Sequence, residues 1–86
     1  MAVKAKIYTA AACPYCEWTK RLLEKRSVEY TEVRVDQDEV ARREMQEKTN
    51  RTSVPQIYLG DRHIGGYQEL VEFDQQQDLS NLNGSS

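Results

Sequence analysis

The only two cysteines of the chain, Cys13 and Cys16, lie two residues apart, where a strand-like run gives way to a helix-like one. Proline is favoured in the first turn of a helix, so Pro14 predicts that Cys13 is the N-cap. Unpaired backbone N–H groups and the helix dipole at that position favour a thiolate over a thiol. Cys16 is then one turn further along, on the same face, within reach of Cys13. The spacing therefore predicts redox chemistry between two sulfurs.

Three other roles fit the cysteines less well. A structural disulfide that closes so short a loop would remove little entropy from the unfolded chain. A zinc site takes about four ligands, and the chain offers only His63 and carboxylates beyond the pair. Inert buried thiols fit poorly with polar flanks and a helix start. A C-x-x-C pair near a βαβ pattern favours a redox motif, and His63 is expected to be an ordinary surface residue of a strand.

Composition limits the class of protein. The 86 residues are enough for one small domain, with 38% hydrophobic and 30% charged residues. A net charge of −2 gives no basic surface for nucleic acid or anionic lipid. No apolar run approaches the length of a transmembrane helix, and none near Met1 is typical of a signal peptide. We therefore expect a cytoplasmic protein without a nucleic-acid or membrane partner.

Residue patterning predicts seven elements in the order β-α-β-α-β-β-α. They are a strand over 3–9, a helix from Pro14 to Arg26, a strand over 31–35, a helix to about Lys48, strands Val54–Leu59 and Arg62–Ile64 around a Gly60-Asp61 turn, and a helix from Tyr67 or Gln68. The first crossover makes a parallel pair of strands, and the hairpin adds antiparallel ones. The prediction is an α/β domain whose helices cover both faces of a mixed sheet.

Some positions have more specific predictions. Asp36 and Glu39 have capping-box spacing, so Asp36 is the predicted N-cap of the second helix. Trp18 has helical spacing with Leu22 and Leu23 and is expected in the core with them. The pair at 65–66 consists of two glycines, which permit a positive φ and a close backbone approach.

Three motifs together resemble those of the glutaredoxin family, in order and spacing: Cys13-Pro14-Tyr15-Cys16, Thr52-Ser53-Val54-Pro55 and Gly65-Gly66-Tyr67. The chain is most similar to small dithiol glutaredoxins of bacteria, from Lys6 to about Leu82. The resemblance implies a thioredoxin-like fold, in which a four-stranded mixed β-sheet is flanked by three helices. It places a glutaredoxin domain over residues 1–82 and leaves 83–86 as a flexible C-terminal tail.

The resemblance also implies roles for residues. Cys13 is the expected attacking thiolate and Cys16 the resolving thiol, and the Val54–Pro55 bond is expected to be cis. Arg42 is matched to the glycine carboxylate of glutathione, with Arg51 as a neighbour of the site just before Thr52. The full glutathione-binding set implied is Tyr15, Arg42, Val54, Pro55, Gly66, Tyr67, Gln68 and Glu69. No metal and no tightly bound cofactor are expected.

The implied activity is glutathione-dependent thiol–disulfide exchange by a monomer. Its substrates are glutathionylated and disulfide-containing proteins, with glutathione as co-substrate. One alternative is a scaffold for a [2Fe–2S] cluster, although relatives specialised for that carry one cysteine followed by Gly-Phe-Ser. Another is an electron donor served by thioredoxin reductase, which the γ-glutamyl-binding segment disfavours.

Three positions depart from the usual glutaredoxin sequence. Ala10 stands where many relatives carry a lysine, three residues before the first cysteine. Ser53 replaces a commoner threonine. Glu69 replaces a usual aspartate and is one methylene longer, which changes its reach toward the γ-glutamyl end of glutathione.

Overall fold

The computed structural model describes residues 4–77. Its elements are β1 (Ala5–Thr9), α1 (Pro14–Lys25), β2 (Tyr30–Arg34), α2 (Glu39–Thr49), β3 (Gln56–Leu59), β4 (Arg62–Gly65) and α3 (Tyr67–Gln77). The predicted order of elements is confirmed. The tail predicted over 83–86 lies outside the described residues. None of the helices in 4–77 combines the length and the apolar character that crossing a bilayer requires.

The four strands form one mixed sheet in the order β2-β1-β3-β4. Strand β1 is parallel to β2 and antiparallel to β3, and β3 is antiparallel to β4. Tyr8, near the end of β1, is paired with Gln56 at the start of β3. Gly65, at the end of β4, is paired with Ile57. The loops after β1, before β3 and after β4 therefore meet at one edge of the sheet.

Helices cover both faces of the sheet, as predicted. On one face, α1 and α3 pack through Leu23 and Leu70 against Ile7 and other residues of the larger core cluster. On the opposite face, Met45 of α2 packs against Tyr8 and Val35. Successive residues of β1 point to opposite faces, so Ile7 and Tyr8 belong to different clusters. Helices α1 and α3 therefore lie side by side on one face of the sheet. Both begin near the edge where the loops meet, because α1 follows the loop after β1 and α3 follows β4.

The prediction of Asp36 as the N-cap of α2 was wrong. Asp38 is the N-cap, and its side chain accepts the Ala41 N–H at 3.0 Å. Asp36 instead accepts two hydrogen bonds from the Arg34 guanidinium, at 2.7 and 2.9 Å. A bidentate arginine competes successfully for that carboxylate, so the helix begins after the next aspartate.

The prediction of Trp18 in the core was also wrong. The buried residues of α1 are Cys16, Thr19 and Leu23, which lie on one helical face. Trp18 lies off that face and is 45% exposed, although Leu23 is fully buried and Leu22 is partly so. Helical spacing alone did not distinguish the face of Trp18 from the neighbouring face of Leu23. In the folded protein only the Leu23 face packs against the sheet.

Candidate active site

Cys13 caps the first helix as predicted. Its backbone is extended, with φ −118° and ψ 99°, and Pro14 follows in the first turn. The Cys16 N–H donates to the Cys13 Sγ over 3.1 Å. A sulfur that accepts from a helix N-terminus is stabilised in its anionic form. The N-cap position of Cys13 therefore places its sulfur where a thiolate is favoured.

The two cysteines are joined as a disulfide, with their Cα atoms 5.2 Å apart. Disulfides span Cα separations of about 4.4–6.8 Å, so the backbone is placed to close and open this bond. The two sites differ in exposure, because Cys13 is half-buried and Cys16 is only 1% exposed. An external thiol or disulfide can therefore reach Cys13 more easily than Cys16.

The loop before Cys13 is fixed by a contact with the loop between β2 and α2. Ala12 has a φ of 54°, a left-handed conformation that alanine seldom adopts. The preceding Ala11 N–H donates to Asp36 at 3.2 Å. Asp36, which fails as a helix cap, thus helps to hold the tight turn that presents Cys13.

The Val54–Pro55 bond is cis, as the resemblance implied. The loop that carries it is anchored by Gln56, which is 1% exposed. The Gln56 Nε2 donates to the Ser53 carbonyl at 3.0 Å, and its Oε1 lies 2.8 Å from the His63 Nε2. A buried polar side chain with both ends bonded is costly to displace, so Gln56 positions the loop.

His63 differs from the ordinary strand-surface residue that was expected. Its ring is half-buried and lies 5.1 Å, between centroids, from the ring of Tyr58. Burial lowers the pKa of its imidazole, and the nearby Arg51 charge lowers it further. His63 therefore supports Gln56, a role that a lone histidine in a strand gives no signal of.

The segment after β4 turns sharply into α3. Gly65 has a φ of +118°, so the positive φ predicted for the glycine pair is confirmed there. The Gly66 N–H donates to the Glu69 carboxylate at 2.5 Å, which caps the helix from within. Arg51 bonds the same carboxylate twice, at 3.1 and 2.9 Å. These Arg51 bonds, with the Gly66 N–H, hold the pKa of Glu69 below its usual value.

The loops and the start of α3 enclose an open groove of about 310 Å³. Its lining residues are Tyr15, Arg51, Ser53, Val54, Pro55, Gln56, Gly66, Tyr67, Gln68 and Glu69. Seven of the eight predicted glutathione-binding residues are among them. Arg42 is the exception, since it lines a separate depression on α2 with Glu39, Arg43 and Gln46. That these residues bind glutathione stays a prediction.

The residues that sequence reasoning undervalued are Arg51, Gln56 and His63. Arg51 was predicted only as a neighbour of the site, yet it lines the groove and binds the Glu69 carboxylate. Gln56 carried one available signal in the sequence, because it is a polar residue directly before the apolar run Ile57-Tyr58-Leu59. Among residues 4–77, no group of three or more histidine, cysteine, aspartate or glutamate side chains is arranged to hold a metal ion.

A four-stranded mixed sheet flanked by three helices, with a C-x-x-C disulfide at the start of α1, defines a thioredoxin-like oxidoreductase. The glutaredoxin family model matches residues 5–64. The chain belongs to the glutaredoxin family, whose members are thiol–disulfide oxidoreductases.

Individual relatives agree with this assignment. The chain is 42% identical over 77 residues to a glutaredoxin of Neisseria meningitidis serogroup A, over 88% of this chain and 91% of the relative. It is 39% identical to glutaredoxin 3 of Escherichia coli K12, over 90% of this chain and 93% of the relative. The solution structure of a Brucella melitensis glutaredoxin superposes with a TM-score of 0.79 at 35% identity, covering 99% of this chain and 94% of that one.

Proposed function

We propose that the protein reduces glutathione mixed disulfides and protein disulfides through Cys13 and Cys16, with glutathione as the electron donor. The observation that carries the proposal is the half-buried Cys13 sulfur at a helix N-terminus beside a groove of peptide-binding size. A protein of the same fold, buckwheat glutaredoxin, is solved as a complex with glutathione; it has a TM-score of 0.82 and 21% identity to this chain. The protein acts as a cytoplasmic monomer without a tightly bound cofactor.

The reaction begins with attack by the Cys13 thiolate on the glutathione sulfur of a mixed disulfide. A bond forms between Cys13 and glutathione, the old S–S bond breaks, and the substrate leaves as a thiolate that takes up a proton. A second glutathione thiolate then attacks the same glutathione sulfur, which frees Cys13 and forms glutathione disulfide. The net reaction consumes one free glutathione, releases the substrate thiol and joins that glutathione to the one from the mixed disulfide as glutathione disulfide. Exchange of this kind proceeds through mixed disulfides at rates set by thiolate fraction and leaving-group pKa.

Protein disulfides follow a route that uses both cysteines. Cys13 forms a mixed disulfide with one substrate sulfur, and Cys16 then attacks Cys13 and releases the substrate as a dithiol. The 5.2 Å separation of the two Cα atoms keeps Cys16 within reach of the Cys13 sulfur, which favours this intramolecular step over attack by solvent thiols. Glutathione afterwards reduces the closed pair.

The groove supplies binding groups for each part of glutathione. The Val54 backbone at the cis turn offers an N–H and a C=O to the cysteinyl unit, as an added strand would take them. The γ-glutamyl end meets the segment from Gly66 to Glu69 at the start of α3, with Tyr15 and Pro55 as walls. Arg51 supplies the cation of the groove, and Arg42 is the second candidate for the glycine carboxylate.

The test is steady-state reduction of a small glutathione mixed disulfide, with glutathione regenerated by glutathione reductase. Cys13→Ser should abolish all exchange. Cys16→Ser should retain reduction of the small mixed disulfide and lose most reduction of protein disulfides. Loss of both activities in Cys16→Ser would refute the division of roles. Turnover with thioredoxin reductase but not with glutathione would favour the alternative donor, and visible absorption of the purified protein would favour a cluster scaffold.

A further inference from the structure

Three aromatic rings form a cluster on the surface beside the cysteine pair. Tyr15 and Trp18 of α1 meet Tyr67 of α3, with centroid separations of 5.1 Å for Tyr15–Trp18, 6.0 Å for Tyr15–Tyr67 and 5.7 Å for Trp18–Tyr67. Tyr15 is 49% and Trp18 is 45% exposed. None of the three belongs to either core cluster. We call these three residues the aromatic platform.

The aromatic platform continues the groove away from Cys13. Tyr15 lies between the two cysteines in sequence, and both Tyr15 and Tyr67 line the groove. On the other side, Trp18 and Tyr67 line a second depression of about 280 Å³. Because Tyr67 borders both hollows, a chain whose sulfur reaches Cys13 has a continuous path across the platform. Under the proposed function glutathione occupies the groove, and the second depression is left for a larger substrate.

The second depression has a defined charge. Its remaining lining residues are Arg21, Leu22 and Lys25, so both of its charged residues are basic. The acidic residue in the first turn of α1, Glu17, forms a salt bridge with Lys20 at 2.8 Å. Exposed tryptophan and tyrosine next to arginine are the residue types that dominate protein-binding energies. The surface therefore combines aromatic rings with a cationic rim.

We propose that the aromatic platform docks the protein part of a disulfide substrate, through an apolar side chain on Trp18 and an acidic residue at Arg21 and Lys25. The segment that flanks the target cysteine occupies the second depression, whereas the glutathione moiety occupies the groove that Tyr15 and Tyr67 also line. This inference rests on the proposed function. Acidic and apolar flanks are selected because the aromatic faces bind the apolar side chain and the two cations bind the carboxylate.

The experiment compares three substrates in the glutathione-coupled assay. The first is a small glutathione mixed disulfide. The other two are glutathionylated peptides whose target cysteine is flanked by leucine and glutamate, or by glycine and lysine. We expect Trp18→Ala to raise KM for the leucine–glutamate peptide at least fivefold and to leave the small mixed disulfide unchanged. Trp18→Phe should recover most of the loss, because it restores an aromatic face.

Charge reversal gives an independent arm. The double variant Arg21→Glu, Lys25→Glu should raise KM for the acidic peptide and lower it for the basic one. Val40→Ala is the matched control, because Val40 is a 78% exposed apolar side chain on α2, across the sheet. Its kinetics should match those of the wild type on all three substrates. Thermal unfolding of each variant checks that the fold is retained.

Trp18 also provides a direct readout, since it is the only tryptophan of the chain. Titration of the acidic peptide into Cys13→Ser, which cannot react, should change the Trp18 emission saturably, and the basic peptide should do so only at much higher concentration. Equal effects of Trp18→Ala on all three substrates would overturn the inference, as would no effect on any. Concentration-dependent dimerisation lost in Trp18→Ala would instead assign the platform to a second copy. If the wild type failed on the small mixed disulfide, the proposed function itself would fall.

Discussion

Replacing Gly65 with alanine tests how the start of α3 is built. Gly65 has a φ of +118°, which an L-residue with a side chain rarely adopts. A Cβ at this position would lie 2.5 Å from the Cδ and from the Oε1 of Glu69. The substitution therefore strains the backbone and pushes the Glu69 carboxylate away from the Gly66 N–H that it accepts.

The two effects can be given magnitudes. A residue held in a sparsely populated region of φ and ψ costs about 1–3 kcal/mol. For a domain of this size, each kcal/mol lowers Tm by about 4–8 °C. Displacement of Glu69 disturbs the groove as well, so KM for a glutathione mixed disulfide should rise, while kcat changes little because the cysteine pair lies on α1.

Thermal and urea unfolding measure the loss of stability, and the glutathione-coupled assay measures KM. Gly66→Ala is the matched control, because a Cβ there would meet Glu69 and Pro55 at 3.4 and 3.6 Å, ordinary contact distances. Its free energy of unfolding should stay within about 0.5 kcal/mol of the wild type. In a Glu69→Ala background, Gly65→Ala should cost less than in the wild type, because the clash is gone and only the strain remains. Equal losses of unfolding free energy in Gly65→Ala and Gly66→Ala would refute this reasoning. So would additive losses in the double-mutant cycle of Gly65→Ala with Glu69→Ala.

Two further predictions concern the supports of the groove. The Arg51 hydrogen bonds, and then the Gly66 N–H, lower the pKa of Glu69 in the folded state. The Glu69 carboxylate therefore stabilises the fold at pH values above its unfolded pKa, and this stabilisation is lost as the pH falls through its folded pKa. The stability difference between wild type and Glu69→Gln should therefore shrink in acid, below the ordinary value of 4.5, as urea unfolding over a pH series would show. Gln56→Leu should lower the free energy of unfolding by about 1–3 kcal/mol, because the Ser53 carbonyl and the His63 Nε2 lose their hydrogen-bond partner. It should also raise KM for a glutathione mixed disulfide, because the Ser53–Pro55 loop loses its anchor. An unchanged KM in Gln56→Leu would separate that network from the groove.

Local signals predicted the frame of the protein well. Alternation in residues 3–9 placed β1, and Pro14 after Cys13 placed the helix start with its cap. A proline at the first turn acts through neighbouring atoms alone, so its effect survives in any tertiary setting. The parallel pairing of β1 with β2 and the antiparallel pairing of β3 with β4 followed from the crossover and the hairpin, because both connections restrict how strands can pair. These predictions depend on local residue patterns and on the connections between successive elements.

The failures share a cause, since each involves at least one partner that is distant in sequence. Trp18 has the spacing of a core residue, but Tyr67 of α3 offers it a surface partner. Asp36 has the spacing of a cap, but Arg34 and the Ala11 N–H bind its carboxylate first. Arg51 and Glu69 are 18 residues apart, and no periodicity relates them. The fold brings such pairs together, so only coordinates reveal them.

Under the proposed function, an experiment can assign the cation that recognises the carboxylates of glutathione. The usual lysine is absent at Ala10, and Arg42 lies on α2, which packs on the face opposite α1 and α3. Arg51 is the only basic residue among those that line the groove, although Glu69 already binds its guanidinium. A substrate carboxylate must therefore share Arg51 with Glu69.

We expect Arg51→Gln to raise KM for a glutathione mixed disulfide several-fold with little change in kcat, the pattern of lost uniform binding. Arg42→Gln, a matched loss of one exposed arginine, should raise KM less, and added salt should narrow the difference because it screens exposed charges. Steady-state kinetics of both variants at low and high salt make the comparison. Ala10→Lys should partly rescue Arg51→Gln by returning a cation to the cysteine loop. A larger KM for Arg42→Gln than for Arg51→Gln would show that Arg42 of α2 binds the carboxylate of glutathione. The Arg51–Glu69 pair would then have only a structural role.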